Sequence, residues 1–361
     1  MSDQDVPNRW NEVSRRTVLT GGAAGLAAYA MSGCGLFGGD DDPGKAAVAQ
    51  GSPAPGLFGE QKKMRFVFVN HVTTNPFFVP TRYGAEDACK LVNCSFQWTG
   101  SESANVNEMV NAFNSAISAK ADGIAVCLVD EKAFNDPVQR ALDAGIPVVG
   151  YNADVANARL SYIGQDLFVS GQEMGKRIVD LVKEGNVALF IATPGALNIQ
   201  PRIDGAIDAI KQSGAPIKID TIATGAALPK ELSTVDAYYV GHKDTKGMFA
   251  VDAGSTQAVA QTIQKYKLRE KGVKGGGYDL LEPTMKLLAA DQLDFTIDQQ
   301  PYLQGFYPVF ELFLYQASKT LTGVAEVNTG LKFLDKESVV PYVTTKSRYE
   351  GNAESAGVTA S

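Results

Sequence analysis

The chain has 361 residues, of which 45% are hydrophobic and 20% charged, and its formal net charge is -7. This length and composition suffice for two α/β lobes with cores of their own and exclude a disordered chain. The acidic balance, without blocks of Lys and Arg, argues against nucleic acid as a partner. Beyond its first segment the sequence has no run of about 20 apolar residues that could cross a membrane.

That first segment, residues 1–33, is predicted to be an export signal rather than part of the fold. Residues 14–19 (SRRTVL) precede an uncharged, Ala- and Gly-rich stretch and resemble a twin-arginine signal. Residues 31–34 (MSGC) resemble a lipobox, which implies that Cys34 is acylated after cleavage. An ordinary signal peptide with an incidental cysteine is the alternative. Residues 34–63, rich in Gly, Asp, Pro and Ala, are expected to be a flexible tether.

Beyond the tether, short apolar runs predicted as strands alternate with segments predicted as helices. The predicted strands are 64–70, 95–99, 123–129, 147–151, 186–192, 218–223 and 273–279. The predicted helices are 82–91, 106–117, 134–144, 174–182, 203–211, 255–267 and 282–290. The alternation indicates βαβ units and it starts twice. We therefore predict an α/β protein with two doubly wound parallel-sheet lobes and a ligand cleft beyond the carboxyl ends of the strands.

Three further cysteines lie in this part of the chain. Cys89 and Cys94 flank a predicted helix-to-strand turn, and in an oxidising compartment we expect them to form a local disulfide. Cys127 lies in an apolar run and is expected to be a buried thiol. Because the two histidines, His71 and His242, lack ligand spacing to a cysteine, we expect no metal site. We expect no cofactor either.

Six short segments resemble, in the same order, those of the ribose/galactose type of periplasmic sugar-binding proteins. They are residues 70–78 (NHVTTNPFF), 144–149 (AGIPVV), 162–166 (YIGQD), 202–205 (RIDG), 277–279 (GYD) and 296–301 (TIDQQP). The resemblance covers roughly residues 64–345. It implies a type I fold whose three-crossover hinge closes on a sugar, and delivery of that sugar to the permease of an ABC importer.

The resemblance also implies which side chains bind the sugar. Aromatic rings pack on the C–H faces of a sugar, while amides, carboxylates and guanidinium groups bond its hydroxyls. The implied ligand-binding residues are Asn75, Phe77, Phe78, Asn152, Gln165, Arg202, Asp252, Tyr278, Asp279 and Gln299. Structural alternatives remain: core packing for one phenylalanine, helix caps for the aspartates, a surface charge for the arginine and hinge contacts for the glutamines.

Two departures from the family's pattern bear on the identity of the ligand. The pair Asn152-Ala153 stands where ribose-type relatives often carry Asp-Arg. The third strand runs into residues 127–130 (CLVD), where relatives often have Asn. Lobe 1 therefore offers fewer charged bonds. We expect a neutral pentose, hexose or linear polyol other than plain ribose.

The implied boundaries assign residues 64–165 and 300–323 to lobe 1, and residues 166–299 and 324–345 to lobe 2. The chain is expected to cross between lobes near residues 165–166, 299–301 and 322–327. Residues 346–361 are polar and small, and we expect a disordered tail.

The expected protein is an extracytoplasmic monomer, anchored to the membrane by lipid or periplasmic. An enzyme is disfavoured because the sequence has neither a phosphate-binding glycine motif after its first strand nor a Gly-x-Ser-x-Gly elbow. A repressor is disfavoured because an export signal takes the place of a DNA-binding module. A receptor that signals to a membrane sensor or chemoreceptor is the alternative to transport.

Overall fold

The computed structural model describes residues 62–319 and 325–360. The expected export signal, Cys34 and nearly all of the tether lie outside these ranges. Within them, none of the helices combines the length and apolar character needed to cross a membrane.

Strands and helices alternate along most of the described chain. The strands are β1 (Arg65–Asn70), β2 (Ser95–Gly100), β3 (Gly123–Val126), β4 (Val148–Tyr151), β5 (Tyr162–Gly164), β6 (Gly185–Ile191), β7 (Ile217–Ala223), β8 (Thr245–Ala250), β9 (Lys274–Tyr278), β10 (Phe295–Asp298), β11 (Val327–Asn328), β12 (Lys332–Leu334), β13 (Thr345–Ser347) and β14 (Val358–Ala360). The helices are α1 (Val79–Leu91), α2 (Val106–Ser118), α3 (Asn135–Asp143), α4 (Leu167–Val182), α5 (Gln200–Ser213), α6 (Leu228–Gly241), α7 (Ala253–Lys265), α8 (Glu282–Ala289), α9 (Pro301–Ser318) and α10 (Val340–Thr344). Two 3-10 helices, Pro76–Phe78 and Leu268–Lys271, complete the set.

Two six-stranded sheets divide these elements into the predicted lobes. The lobe 1 sheet has the order β11-β5-β4-β3-β1-β2 and is parallel throughout. The lobe 2 sheet has the order β12-β10-β9-β8-β6-β7, with β12 antiparallel to β10. Central strands such as β3 and β4 are buried on both faces, which explains why their sequences are continuous apolar runs rather than alternating ones.

Glycines bring a pair of helices close together in each lobe. In lobe 2, a Cβ atom on Gly171 of α4 would lie 2.3 Å from the Arg202 carbonyl oxygen on α5. In lobe 1, a Cβ atom on Gly305 of α9 would lie 1.8 Å from the Thr81 carbonyl oxygen on α1. Both distances are far below van der Waals contact, so the helix backbones can approach this closely only without a side chain.

The boundary of lobe 2 and the expected tail need correction. Strand β11 pairs with β5, so residues 327–328 belong to lobe 1 and the third crossing follows them. Residues 346–360 are not a disordered tail: β13 and β14 form an antiparallel hairpin. Arg348 in that hairpin is buried against α1, where it bonds Glu86 at 2.6 Å and Asp87 at 2.9 Å. These ion pairs hold a segment whose composition alone would not order it.

The expected disulfide is also corrected, because Cys89 and Cys94 are free thiols. Asn93 is in the left-handed conformation, with φ 53°, and the Cys94 N–H donates to the Cys89 carbonyl at 2.9 Å. This is the Schellman arrangement, which ends α1 and brings the residues at these two positions into contact. The hydrogen bond to the Cys94 thiol, followed by burial, raises the pKa of the Cys89 thiol. The helix end accounts for the spacing of the two cysteines without a covalent bond.

Candidate functional site

The carboxyl ends of the strands of both lobes face one interlobe cleft. The lobes touch across it: the Leu197 N–H donates to the Val129 carbonyl at 3.1 Å, and the Asn198 amide lies 3.2 Å from His71 Nε2. Most side chains that the sequence predicted for the site are buried here. The lobes are therefore in contact across the cleft, as expected for a hinged protein in its closed form.

Arg202 occupies the first turn of α5 and is 2% exposed. Its Nη1 donates to the Val251 carbonyl at 2.9 Å and its Nη2 to Gln165 Oε1 at 3.1 Å. The guanidinium carbon lies 4.1 Å from the centroid of the Tyr278 ring. Its Nε has no hydrogen-bond partner among the described residues. The alternative of a surface charge is thus wrong, and the held guanidinium keeps its Nε–H donor available.

Gln165 and Tyr278 both support this arginine. Gln165 also donates from Nε2 to the Gly330 carbonyl at 3.0 Å, so its amide joins the first and third crossings. The Tyr278 hydroxyl bonds Ser170 at 2.6 Å and its ring is fully buried. These contacts favour the hinge alternative for Gln165 and a stacking role beneath Arg202 for Tyr278.

Asp279 follows β9 with φ 76°, a left-handed conformation that Asp tolerates better than most residues. Gln299 Nε2 donates to its Oδ1 at 2.7 Å. Burial raises the pKa of Asp279 to about 7, against the opposing effects of Arg202 and Gln299. The residue before α8 is Leu281, which makes no side-chain cap, so Asp279 is not a helix cap.

A chain of hydrogen bonds links this carboxyl group to lobe 1. Gln299 Oε1 accepts from Gln304 Nε2 at 3.2 Å, and Gln304 Oε1 accepts from Asn152 Nδ2 at 3.1 Å. Asn152 follows β4 with φ 63°, and its buried Oδ1 has no partner among the described residues. The lobe 1 end of this chain thus keeps one buried acceptor at the carboxyl end of β4. Gln304, on α9, was not predicted from the sequence.

An aromatic cluster in lobe 1 comprises His71, Phe78 and Trp98. The Phe78 ring centroid lies 5.3 Å from that of His71 and 6.0 Å from that of Trp98. Burial lowers the pKa of His71 to about 4, so this ring is neutral at physiological pH. Phe77 faces a different groove, lined also by Leu281 and Met285. Phe78 thus packs in the lobe 1 core beside His71, and Trp98 joins this cluster without having been predicted.

The outer part of the cleft is a cavity of about 240 Å³. Its polar lining residues are His71, Asn75, Asp130, Thr193, Asn198, Glu231 and Asp252. Asn75 caps the 3-10 helix by accepting from the Phe77 N–H at 2.9 Å, and Asp252 caps α7 by accepting from the Ser255 N–H at 2.9 Å. Both predicted residues therefore cap a helix and also line the cleft. This volume suits a small ligand.

A larger cavity, of about 490 Å³, lies beside the hinge between Pro76, Met285 and Tyr342. It is lined mainly by apolar side chains and takes in Phe77 alone of the predicted site residues. Because the convergent polar groups lie elsewhere, we assign the ligand site to the cleft and not to this larger cavity.

The fold and the cleft define a two-lobed binding protein. The chain belongs to the periplasmic binding proteins: the family described as "periplasmic binding protein domain" matches residues 66–319. It is 44% identical to the xylose/arabinose-binding protein of Sulfolobus acidocaldarius, over 94% of this chain and 89% of that protein. It is 23% identical to the D-ribose/D-allose-binding protein of Pseudomonas aeruginosa, over 69% of this chain and 81% of that protein.

Solved structures share the fold. A solute-binding protein of an ABC transporter from Burkholderia graminis, in complex with D-arabinose, superposes with a TM-score of 0.73 and 25% identity. It matches 78% of this chain and 99% of its own. A glucose-galactose binding protein from Geobacillus stearothermophilus superposes with a TM-score of 0.70. The predicted family and the two-lobed α/β fold are confirmed, and this is a binding protein rather than an enzyme.

Proposed function

We propose that this protein captures an aldopentose of the xylose or arabinose type by closing its two lobes around the sugar. The observation that carries the proposal is the closed cleft, in which a buried arginine from lobe 2 and a buried amide from lobe 1 each keep one polar atom without a partner among the described residues. A neutral polyhydroxyl ligand supplies both a donor and an acceptor to such groups. The relative from Sulfolobus acidocaldarius, named for xylose and arabinose, supports the choice of pentose.

The composition of lobe 1 supports a neutral ligand in particular. Asn152 and the buried Ala153 replace the charged pair expected at a ribose site. We assign the apolar surface on which the sugar C–H faces pack to the aromatic cluster of Phe78 and Trp98, which adjoins His71 of the cleft. Asp279, with its pKa near 7, is a carboxyl group that both accepts and donates hydrogen bonds close to neutral pH.

The experiment is a calorimetric titration of the purified protein with D-xylose, L-arabinose, D-ribose, xylitol, D-glucose and L-leucine. We expect saturable binding of one or both of the first two sugars, and an increase in melting temperature by mass action with those sugars. Binding restricted to L-leucine, or no binding at all, would contradict the proposal. Preference for xylitol would replace the pentose with a linear polyol.

Export, lipid anchoring and delivery to an ABC permease are further parts of the proposal. They are supported by residues 14–19 and 31–34 and by the Burkholderia graminis structure, which is described as an ABC transporter protein. In the native host, Cys34→Ser should release the protein from the membrane fraction. Retention of the variant there would contradict acylation at Cys34. Loss of pentose uptake on deletion of the protein, restored by the wild-type copy, would support delivery to a transporter.

A further inference from the structure

Helix α6 brings a glutamate into the cleft. Glu231 lies in the first turn of α6 and is 5% exposed. It lines the outer cleft together with Asn75 and Asp252, and also the adjoining cavity beside Leu228. An unpaired carboxylate would be costly at this depth. Its position therefore requires a partner.

The neighbouring helix is shaped to receive this carboxyl group. A Cβ atom on Gly254, the second residue of α7, would lie 1.6 Å from Glu231 Oε2. Gly254 is not among the residues with positive φ, so its backbone conformation does not require glycine. Glycine inside a helix costs about 1 kcal/mol relative to alanine. Room for the Glu231 carboxyl group is what this glycine provides.

The partner of Glu231 is Asp252, at the amino end of the same helix. The Asp252 carboxyl group accepts from the Ser255 N–H and from the Ala192 N–H, each at 2.9 Å. Glu231 and Asp252 line the same cavity, and two neighbouring carboxyl groups can hydrogen-bond to each other only if they hold a proton. Burial, followed by the charge of Asp252, raises the pKa of Glu231 to about 9. At neutral pH Glu231 is therefore protonated and can donate to the Asp252 carboxyl group, whose pKa burial also raises.

The surroundings of the pair point to a ligand. In the outer cleft, the other titratable lining residues are His71 and Asp130, both of lobe 1. In the adjoining cavity, the other one is Glu102. Neither cavity has a Lys or Arg among its described lining residues. His71, 9% exposed, has an Nδ1 atom without a hydrogen-bond partner in the described part of the chain. A second buried polar group thus meets the same cavity from the opposite lobe.

We propose that Glu231 is a further ligand-binding residue and that the Glu231–Asp252 pair, sharing one proton, bonds a hydroxyl of the bound sugar. The pair has lone pairs to accept from that hydroxyl, and the proton on Glu231 keeps one carboxyl group neutral in a part of the cleft where no Lys or Arg is among the described lining residues. This inference rests on the proposed function. It adds a specificity-determining residue that lies outside the segments carrying the sequence resemblance.

The test measures pentose affinity in four variants. Glu231→Ala should weaken binding about 10- to 100-fold, as expected for loss of a hydrogen bond between the ligand and a buried carboxyl group. Glu231→Gln keeps a neutral donor and acceptor and should stay within about threefold of wild type. Gly254→Ala retains the carboxyl group but displaces it, and should behave like Glu231→Ala. Asp236→Asn on the same helix removes only an exposed ion pair with Lys265 and should have no effect.

Two readouts separate ligand contact from a structural role. The wild type should discriminate the parent pentose from one of its monodeoxy analogues by about tenfold or more, and Glu231→Ala should lose that discrimination. Wild-type affinity should also fall about fivefold as pH rises from 9 to 10, because the raised pKa means that the pair loses its proton there. Glu231→Gln should be independent of pH over this range.

Two different results would overturn the inference. If the wild type binds pentoses but Glu231→Ala and Gly254→Ala, both folded by circular dichroism, bind as tightly and discriminate the deoxy sugars equally, then Glu231 does not touch the ligand. If the wild type binds no sugar, the proposed function fails and this inference fails with it.

Discussion

At the scale of single residues, Arg202 is oriented by contacts with three separate parts of the protein. A carbonyl, an amide and a tyrosine ring fix its guanidinium group, and only Nε has no partner among the described residues. A planar group held in this way presents a donor in one direction without further loss of side-chain entropy. Preorganisation of this kind is what a small ligand with few contact atoms requires.

We therefore expect Arg202→Lys to weaken pentose binding about 10- to 100-fold. An ammonium group cannot reproduce the two hydrogen bonds of the planar guanidinium group, and it cannot stack on Tyr278. Titration calorimetry measures the change. Arg177→Lys is the control, since Arg177 stacks on Phe333 at 4.9 Å from an exposed position outside the cleft. Equal affinities in the two variants would show that the two hydrogen bonds of the Arg202 guanidinium group are not needed for binding.

Asp279 and Glu311 provide a pair of buried carboxyl groups, one in the cleft and one outside it. Burial raises the pKa of each to about 7. Their unfolded values lie near 4, so between about pH 4 and pH 7 the folded protein binds more protons than the unfolded chain. The free energy of unfolding must then fall as pH rises through this window, by at most about 1.4 kcal/mol per pH unit for each group.

We expect Asp279→Asn and Glu311→Gln each to flatten this decline, measured by chemical denaturation at several pH values. Only Asp279→Asn should also weaken sugar binding, because Glu311 bonds Ser161 on the lobe 1 side, away from the cleft. Unchanged pentose affinity in Asp279→Asn would contradict its assignment to the site. A steeper decline of stability with pH in either variant would contradict the direction of its pKa shift.

The sequence predicted most of these residues because strand ends and crossovers are positions that the family motifs mark. It did not predict which of them touch a ligand, since that depends on side-chain contacts between segments far apart in the chain. Gln165 was predicted as a ligand residue, yet both ends of its amide bond other parts of the protein. Trp98 and Gln304 were missed because nothing in their local sequence marks them.

At the scale of elements, the strands and helices that were predicted agree with the structure to within a few residues at most ends. The largest omission in lobe 2 is α6. Its signals are present: Pro229 in the first turn, and Leu232, Val235 and Tyr239 at helical spacing. Leaving out α6 also removed Glu231 from consideration. Because this helix was not predicted, the predicted site lacked one of the residues that line the cleft.

Close packing of α4 on α5 controls where Arg202 lies. We expect Gly171→Ala to lower the free energy of unfolding by about 1–3 kcal/mol, because its Cβ atom would overlap the Arg202 carbonyl oxygen. The same shift should weaken pentose binding. Gly241→Ala is the control, since a Cβ atom there meets no heavy atom within 4 Å and should change stability by no more than about 0.5 kcal/mol. Denaturation midpoints that do not differ between these variants would contradict this account of the helix contact.

At the scale of the whole molecule, the described chain crosses between the lobes four times, and not three. After β11 it enters lobe 2 with β12 and α10, and then returns to lobe 1 with the β13–β14 hairpin. Arg348 fixes the hairpin to α1 through its two ion pairs, and Tyr349 packs on Tyr302 with ring centroids 4.6 Å apart. Composition suggested a frayed end because the ion-pair partners of Arg348 lie more than 250 residues earlier in the chain.

A fourth connection restricts hinge motion more than three do, because α10 moves with lobe 2 while the hairpin is held on lobe 1. We expect Arg348→Met to release the hairpin, enlarge the radius of gyration of the sugar-free protein in solution scattering, and weaken pentose binding by favouring the open form. Lys265→Met is the control, since it breaks an ion pair within lobe 2. If Arg348→Met lowers thermal stability but leaves both the radius of gyration and the affinity at their wild-type values, the hairpin stabilises lobe 1 without restraining the hinge.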